Sequence, residues 1–126
     1  MANPNRLLIV DDEAGVAHVI ETVARKLGFE ALEIRGSDQF EKALTQLDPT
    51  VIFLDIAMPD RDGLELIGVL AARSYPGKVV MMSGSHPSYI QMSSTIGQTR
   101  GLRMAGTLAK PFRVAEVSAL LKGLMA

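Results

Sequence analysis

The chain has 126 residues, and its 13 lysines and arginines against 14 aspartates and glutamates give a formal net charge of -1. This length fits one domain, and such interspersed charges provide no basic surface for nucleic acid or for a membrane. The lack of cysteine excludes disulfides and thiolate metal sites. Because the apolar runs are too short to cross a bilayer and the N-terminus lacks the pattern of a signal peptide, we expect a cytoplasmic protein.

Short apolar runs alternate along the chain with segments of helical periodicity. This alternation is typical of βαβ units around a parallel sheet. Strands are predicted near residues 6–10, 29–34, 50–54, 78–82 and 103–109.

Apolar side chains at spacings of three and four predict an amphipathic helix after each strand. The first helix should stop at Gly28, and the second should begin with Ser37 as its N-cap and end before Pro49. The fourth, within residues 86–101, has the weakest pattern. The predicted core stripes are Val16, Ile20, Val23 and Leu27; Phe40, Ala43, Leu44 and Leu47; Leu64, Ile67 and Leu70 or Ala71; Tyr89, Met92 or Ser93, and Ile96; and Val114, Val117, Leu120, Leu121 and Leu124.

Charged side chains stand where several of these strands stop. Asp11 and Asp12 follow the first strand, Asp55 follows the third, and Lys110 follows the last. Because ligands bind at the carboxyl ends of the strands in an open parallel sheet, we expect these side chains to meet. Clustered carboxylates without histidine or cysteine suit Mg²⁺ better than zinc. The pattern therefore predicts an acidic Mg²⁺ pocket with a lysine on its rim.

Several motifs in this order resemble the receiver domain of two-component response regulators. They are the Asp11-Asp12 pair, the segment from Asp55 to Gly63, Ser83 after the fourth strand, and Lys110-Pro111-Phe112. The resemblance covers nearly the whole chain. It implies a flavodoxin-like, doubly wound (βα)5 fold, which is a three-layer α/β sandwich with parallel strand order 2-1-3-4-5. Residues 1–126 are expected to form this single domain, without an output domain.

The resemblance also implies a reaction and a metal ion. Asp55 would be the phosphoacceptor, taking a phosphoryl group from a histidine kinase or a histidine phosphotransfer protein and passing the signal to a downstream protein. Asp12, Asp55 and the backbone carbonyl of Ala57 would bind Mg²⁺ directly, whereas Asp11 would act mainly through water. The domain would thus be a signalling module and not an enzyme in the usual sense.

Further roles implied by the resemblance concern the phosphoryl group once it is bound. Ser83 would donate its hydroxyl and Lys110 its ammonium to phosphoryl oxygens. Ala57 and Ser85 occupy the positions that tune the lifetime of the phosphate. Because neither side chain is long enough to orient a water, autodephosphorylation should be slow.

The chain departs from the usual receiver pattern in two places. Receivers usually carry an aromatic residue three positions before the lysine, and here that position is Thr107, so a signal would pass through backbone movement or the fourth helix. The stretch from Ser83 to Lys110 is longer than in most receivers by about one helical turn. The glycines in this stretch, with Gly106-Thr107-Leu108-Ala109-Lys110, are similar to receivers attached to cyclic-di-GMP phosphodiesterase outputs.

Other interpretations of the motifs fit less well. A haloacid-dehalogenase-like phosphatase would need a second aspartate at Ala57. The alternative that stays open is a pseudo-receiver, which is an interaction module that keeps the fold without phosphotransfer. His18 and His86 are interpreted as surface or turn residues without metal-ligand neighbours.

Overall fold

The structure is a computed structural model that describes residues 3–57, 63–84 and 87–126, except for the side chains of 87–89. Within these residues, strands and helices alternate in chain order. They are β1 (Arg6–Val10), α1 (Ala14–Lys26), β2 (Glu30–Ile34), α2 (Phe40–Leu47), β3 (Val51–Asp55), α3 (Gly63–Ala72), β4 (Lys78–Ser83), α4 (Pro87–Thr99), β5 (Arg103–Ala109) and α5 (Val114–Leu124).

The strands form one parallel sheet in the order β2-β1-β3-β4-β5. This confirms the predicted doubly wound α/β fold and its strand order. No helix among the described residues has both the length and the apolar character needed to span a membrane.

The three inner strands, β1, β3 and β4, are buried on both faces, and their side chains alternate between two hydrophobic cores. Leu7 and Ile9 of β1 pack with α1 and α5, whereas Leu8 and Val10 pack with α2 and α3 on the opposite face. This period of two follows from the pleat of a strand. It explains why these strands appear in the sequence as unbroken apolar runs.

The predicted helical stripes are confirmed in most places and corrected in others. Ile20, Val23, Val117, Leu121 and Leu124 are buried as expected. Val114 was wrongly placed in the core: as the first residue of α5 it is 58% exposed.

The start of the second helix also differs from the prediction. Ser37 lies inside a single 3-10 turn, Ser37–Gln39, whose N-cap is Gly36 with an extended backbone. The prediction that Ser37 is the N-cap was therefore wrong, because the chain makes this extra turn before α2 begins. At the other end, Asp48 adopts a left-handed conformation that stops α2 before Pro49, as predicted.

The face that α4 presents to the sheet was only partly anticipated. Met92 is 43% exposed, and the buried positions are Ile90, Ser93 and Gly97. A Cβ at Gly97 would collide with the side chain of Met104 on β5. The small residues thus let α4 approach the sheet closely, so size rather than hydrophobicity sets this face.

Candidate functional site

Three carboxylates meet at the carboxyl ends of β1 and β3. Asp11 and Asp12 follow β1, Asp55 ends β3, and one oxygen from each lies within 4.8 Å of the others. Asp11 and Asp55 are buried, whereas Asp12 is exposed at the mouth of the site. The sequence prediction that these residues come together is confirmed.

Backbone hydrogen bonds fix these side chains by continuing the sheet past the strand ends. The N–H of Asp11 donates to the carbonyl of Ile34 at 3.1 Å. On the other side of the site, the N–H of Lys110 donates to the carbonyl of Ser83 at 2.8 Å. The functional side chains therefore project from rigid backbone.

Lys110 lies in the middle of the carboxylates and not merely on the rim. Its Nζ atom is 2.7 Å from Oδ2 of Asp11, 2.9 Å from Oε1 of Glu13 and 3.2 Å from Oδ2 of Asp55. Only 10% of the lysine side chain is exposed. Burial alone would lower the pKa of Lys110, but close contacts with the carboxylates of Asp11 and Glu13 and the charge of Asp55 raise it above its ordinary value. The ammonium therefore stays charged throughout the neutral range.

Glu13 is the functional-site residue that sequence reasoning missed. It follows the acidic pair directly and is the N-cap residue of α1. Its backbone N–H donates to Oδ1 of Asp11 at 2.9 Å. A third acidic residue at this strand-to-helix turn was the available signal, but surface glutamates are common at such turns.

The Asp55 carboxylate is held at both oxygens. Oδ1 accepts a hydrogen bond from the N–H of Ala57 at 3.1 Å, and Oδ2 accepts one from Lys110. Burial, together with the charge of Asp11, raises the pKa of Asp55 to about 6, although the Ala57 N–H and Lys110 oppose this shift. Burial is thus the dominant influence on this carboxyl.

The donor set is compatible with a hard divalent cation. Oδ2 of Asp11 is buried and accepts no hydrogen bond of good geometry from a described residue, although the Lys110 ammonium lies beside it. With the oxygens of Asp12 and Asp55, it provides clustered carboxylates at a partly open site. Such oxygen ligands are those that Mg²⁺ prefers.

The remaining predicted residues are placed as follows. Ser83 is buried at the end of β4, where it pairs in register with Ala109 of β5, next to Lys110. Ala57 is exposed beside Asp55. Ser85 lies outside the described residues, so its predicted role stays a prediction.

Thr107 lines a cleft at the position where receivers usually carry an aromatic side chain. It is exposed on β5 and lines a surface cleft of about 380 Å³ together with Ala109 and three residues of α4, Ile90, Gln91 and Ser94. The chain therefore has no bulky side chain of its own at position 107 to fill the space between α4 and β5.

His18 is not isolated from possible metal ligands, contrary to the sequence interpretation. Its Nδ1 atom lies 3.5 Å from Oε2 of Glu33, and Glu21 completes a group whose ligand atoms lie within 4.8 Å of one another. The contact arises because β2 runs beside α1. Arg25 pairs with Glu21 at 2.9 Å, so we interpret the cluster as an ion-pair network. His86 lies outside the described residues.

Comparisons with known proteins agree with this geometry. The sequence model of the response regulator receiver domain matches residues 7–122. The transcriptional regulatory protein PrrA of Mycobacterium tuberculosis is 33% identical over 123 residues, which are 95% of this chain and 49% of PrrA. The DNA-binding response regulator MtrA of the same organism is 29% identical over 119 residues, which are 93% of this chain and 49% of MtrA. The chain thus spans about half the length of these curated relatives.

A solved structure gives the same result. The crystal structure of a response regulator from Colwellia psychrerythraea superposes with a TM-score of 0.79 at 28% sequence identity, covering 96% of each chain. With the family match over residues 7–122, this likeness leads to one conclusion: the chain belongs to the receiver domain family of response regulators, which signal by accepting a phosphoryl group.

Proposed function

We propose that Asp55 is the phosphoacceptor of this receiver. The observation that carries the proposal is the contact between Oδ2 of Asp55 and the Lys110 ammonium, 3.2 Å apart in a pocket that also contains Asp11 and Asp12. A buried carboxylate beside a fixed cation is suited to attack an anionic phosphoryl group, because the cation offsets the repulsion between nucleophile and substrate.

The reaction we propose is a direct phosphoryl transfer. An oxygen of Asp55 forms a bond to phosphorus while the bond from phosphorus to a histidine nitrogen of the donor protein breaks, and that nitrogen keeps the electron pair. The product is an acyl phosphate on Asp55. A bound Mg²⁺, held directly by Asp12, Asp55 and the carbonyl of Ala57 and mainly through water by Asp11, would neutralise charge on the phosphoryl oxygens.

The protein's own groups prepare the nucleophile and receive the product. A pKa of about 6 leaves most Asp55 ionised at neutral pH, yet makes it more basic than an ordinary aspartate. Lys110 would follow the charge onto the phosphoryl group, and the hydroxyl of Ser83 would donate a hydrogen bond to it. Since Thr107 replaces the usual aromatic residue, we expect the change at Ser83 to reach the surface through β4 and α4.

The partners follow from the same proposal. The phosphoryl donor would be a histidine kinase or a histidine phosphotransfer protein. The phosphorylated receiver would then act on a downstream protein. The relative MtrA is named as a DNA-binding response regulator. The present chain has a formal net charge of -1, which does not favour binding of its own surface to DNA. We therefore propose that the domain itself contacts neither nucleic acid nor a membrane. A cytoplasmic location stays a prediction.

The test is phosphorylation by a small-molecule phosphodonor with Mg²⁺, followed by intact-mass measurement. Wild type and the control Asp48→Asn, whose side chain is 89% exposed in the Arg6–Asp48 ion pair, should each gain one phosphoryl group. Asp55→Asn should gain none. A wild type that gains no mass would favour the pseudo-receiver alternative, which no comparison supports, and equal labelling of Asp55→Asn would place the acceptor elsewhere.

A further inference from the structure

The Lys110 ammonium is shared among three carboxylates in the structure. Asp11, Glu13 and Asp55 each place an oxygen between 2.7 and 3.2 Å from Nζ. An ammonium has three N–H donors. Those of Lys110 donate to Glu13 and Asp55, while Asp11 contributes a close ion-pair contact. Phosphorylation would move the negative charge of Asp55 onto the phosphoryl oxygens. Lys110 can follow that charge freely only if its contact with another carboxylate loosens.

The three carboxylates differ in the free-energy cost of losing their contact with the Lys110 ammonium. The side chains of Asp11 and Asp55 are 0% and 4% exposed, whereas that of Glu13 is 61% exposed. A buried carboxylate that loses its partner stays uncompensated, which is strongly unfavourable. An exposed carboxylate is rehydrated, and exposed ion pairs contribute little to stability. Glu13 is the member that can release Lys110 at low cost.

The backbone of Glu13 is fixed, so the release needs only a side-chain rotation. Its N–H donates to Oδ1 of Asp11 at 2.9 Å, and its carbonyl accepts the N–H of Ala17 at 3.1 Å in the first turn of α1. The Cα therefore stays in place while the flexible side chain can turn into solvent.

We propose that Glu13 is an exchangeable counter-ion that competes with the phosphoryl group for Lys110. In the unphosphorylated receiver it accepts a hydrogen bond from the ammonium, and it leaves when a phosphoryl oxygen arrives. Glu13 thereby weakens the contact of Lys110 with the phosphoryl group and limits how readily Asp55 is phosphorylated. This role rests on the proposed function, since it requires phosphorylation at Asp55.

The test compares the affinity of Glu13 variants for beryllofluoride, a phosphoryl analogue, by calorimetry in Mg²⁺ buffer. Glu13→Asp keeps the charge but is one methylene too short to maintain the contact with Lys110. Glu13→Gln keeps the length but removes the charge. Both should bind beryllofluoride roughly 3- to 10-fold more tightly than wild type, because either change weakens the competitor. Glu30→Gln removes a charge from an exposed position at the start of β2 and should leave the affinity unchanged.

The outcomes separate this role from a general effect of charge and from a failure of the proposed function. If Glu13→Gln tightens binding and Glu13→Asp does not, the net charge is responsible and the proposal is overturned. Wild-type affinity in both variants would overturn it as well. Failure of wild type to bind the analogue, or equal binding by Asp55→Asn, would overturn the proposed function and the role of Glu13 with it. Equal melting temperatures of the variants will show that the fold is intact.

Discussion

The Lys110 ammonium lies 3.2 Å from Oδ2 of Asp55, although 55 residues separate the two in the sequence. The contact crosses β4, because Asp55 ends β3 and Lys110 follows β5, the strands on either side of β4. The sheet thus aligns the two charges by register alone. A pocket built in this way is rigid at the backbone and adjustable only through its side chains.

Mg²⁺ should stabilise the protein by binding the acidic pocket. Three clustered carboxylates repel one another in the metal-free protein, and a ligand that binds only the folded state stabilises it by about 2.7 kcal/mol at 100 times its dissociation constant. We expect Mg²⁺ to raise the melting temperature of wild type by several degrees and that of Asp12→Ala hardly at all. Asp38→Ala, a change at another exposed aspartate, should keep the full rise. An equal rise in Asp12→Ala would show that Asp12 is not a ligand.

Asp55→Asn should stabilise the metal-free protein at neutral pH. The pKa of Asp55 is raised from 3.8 to about 6 in the fold. Because the folded state then binds more protons than the unfolded state, the free energy of unfolding falls as pH rises from about 4 to about 6. Asparagine does not ionise, so it avoids this loss of stability. At pH 7 the free energy of unfolding of Asp55→Asn should exceed that of wild type by about 1–3 kcal/mol, and near pH 4 the two should be equal.

Chemical denaturation at several pH values in a chelating buffer measures this difference. Asp48→Asn is the control, since its carboxylate is exposed at the other end of the sheet. An Asp55→Asn variant with the stability of wild type at pH 7 would contradict the unfavourable burial of the Asp55 charge.

The aspartyl phosphate should be long-lived. Hydrolysis needs a water in line with the phosphorus, and neither Ala57 nor Ser85 has a side chain able to orient one. We expect the phosphorylated wild type to persist for minutes or longer, and Ala57→Asn combined with Ser85→Glu to shorten its lifetime by about tenfold or more. Decay followed by intact mass tests this, with Ala115→Asn at an exposed position of α5 as the control. A double variant that decays no faster would show that these positions do not set the lifetime.

Gly63→Ala should disturb the segment that holds Asp55. A Cβ at position 63 would lie 2.7 Å from Cα of Ile56 and 3.0 Å from the carbonyl oxygen of Asp55. Because both are backbone atoms, neither can move without shifting Asp55 itself. We expect a loss of about 1–3 kcal/mol in stability, together with slower phosphorylation.

The control for this change is Gly15→Ala, since nothing lies within 4 Å of a Cβ at that helical position. It should be neutral or stabilising by up to about 1 kcal/mol. A Gly63→Ala protein as stable and as readily phosphorylated as wild type would contradict the close packing behind Asp55.

Much of the fold and the main site could be predicted because both follow from strand patterns. Unbroken apolar runs mark strands that are buried on both faces, and Asp11, Asp55 and Lys110 stand at strand ends that a parallel sheet must bring to one edge. The contact of Glu13 with Lys110 could not be predicted, since it joins residues 97 positions apart through a flexible side chain. The contact of His18 with Glu33 was missed because it joins α1 to β2, although Glu21 stands only three residues from His18 on the same helix.

The face of α4 could not be predicted for a different reason. Met92 and Ser93 are adjacent, and hydrophobicity favours burying the methionine, but the structure buries the serine. The deciding factor is the close approach of α4 to Met104 of β5, which only small residues such as Gly97 permit. Periodicity reports which residues are apolar and gives no information about how near two elements come.

The central claim, that Asp55 carries the phosphoryl group, is tested most directly by locating that group in the wild-type chain. After treatment with a phosphodonor and Mg²⁺, reduction with borohydride converts an acyl phosphate to an alcohol at the modified residue, which fragment ions then identify. Trypsin releases residues 43–61 as one peptide, so Asp48, Asp55 and Asp60 are compared within the same spectrum. We predict reduction at Asp55 and at neither of the other two. Reduction at Asp48 or Asp60, or an unmodified Asp55 in protein that has gained the mass of a phosphoryl group, would contradict the claim.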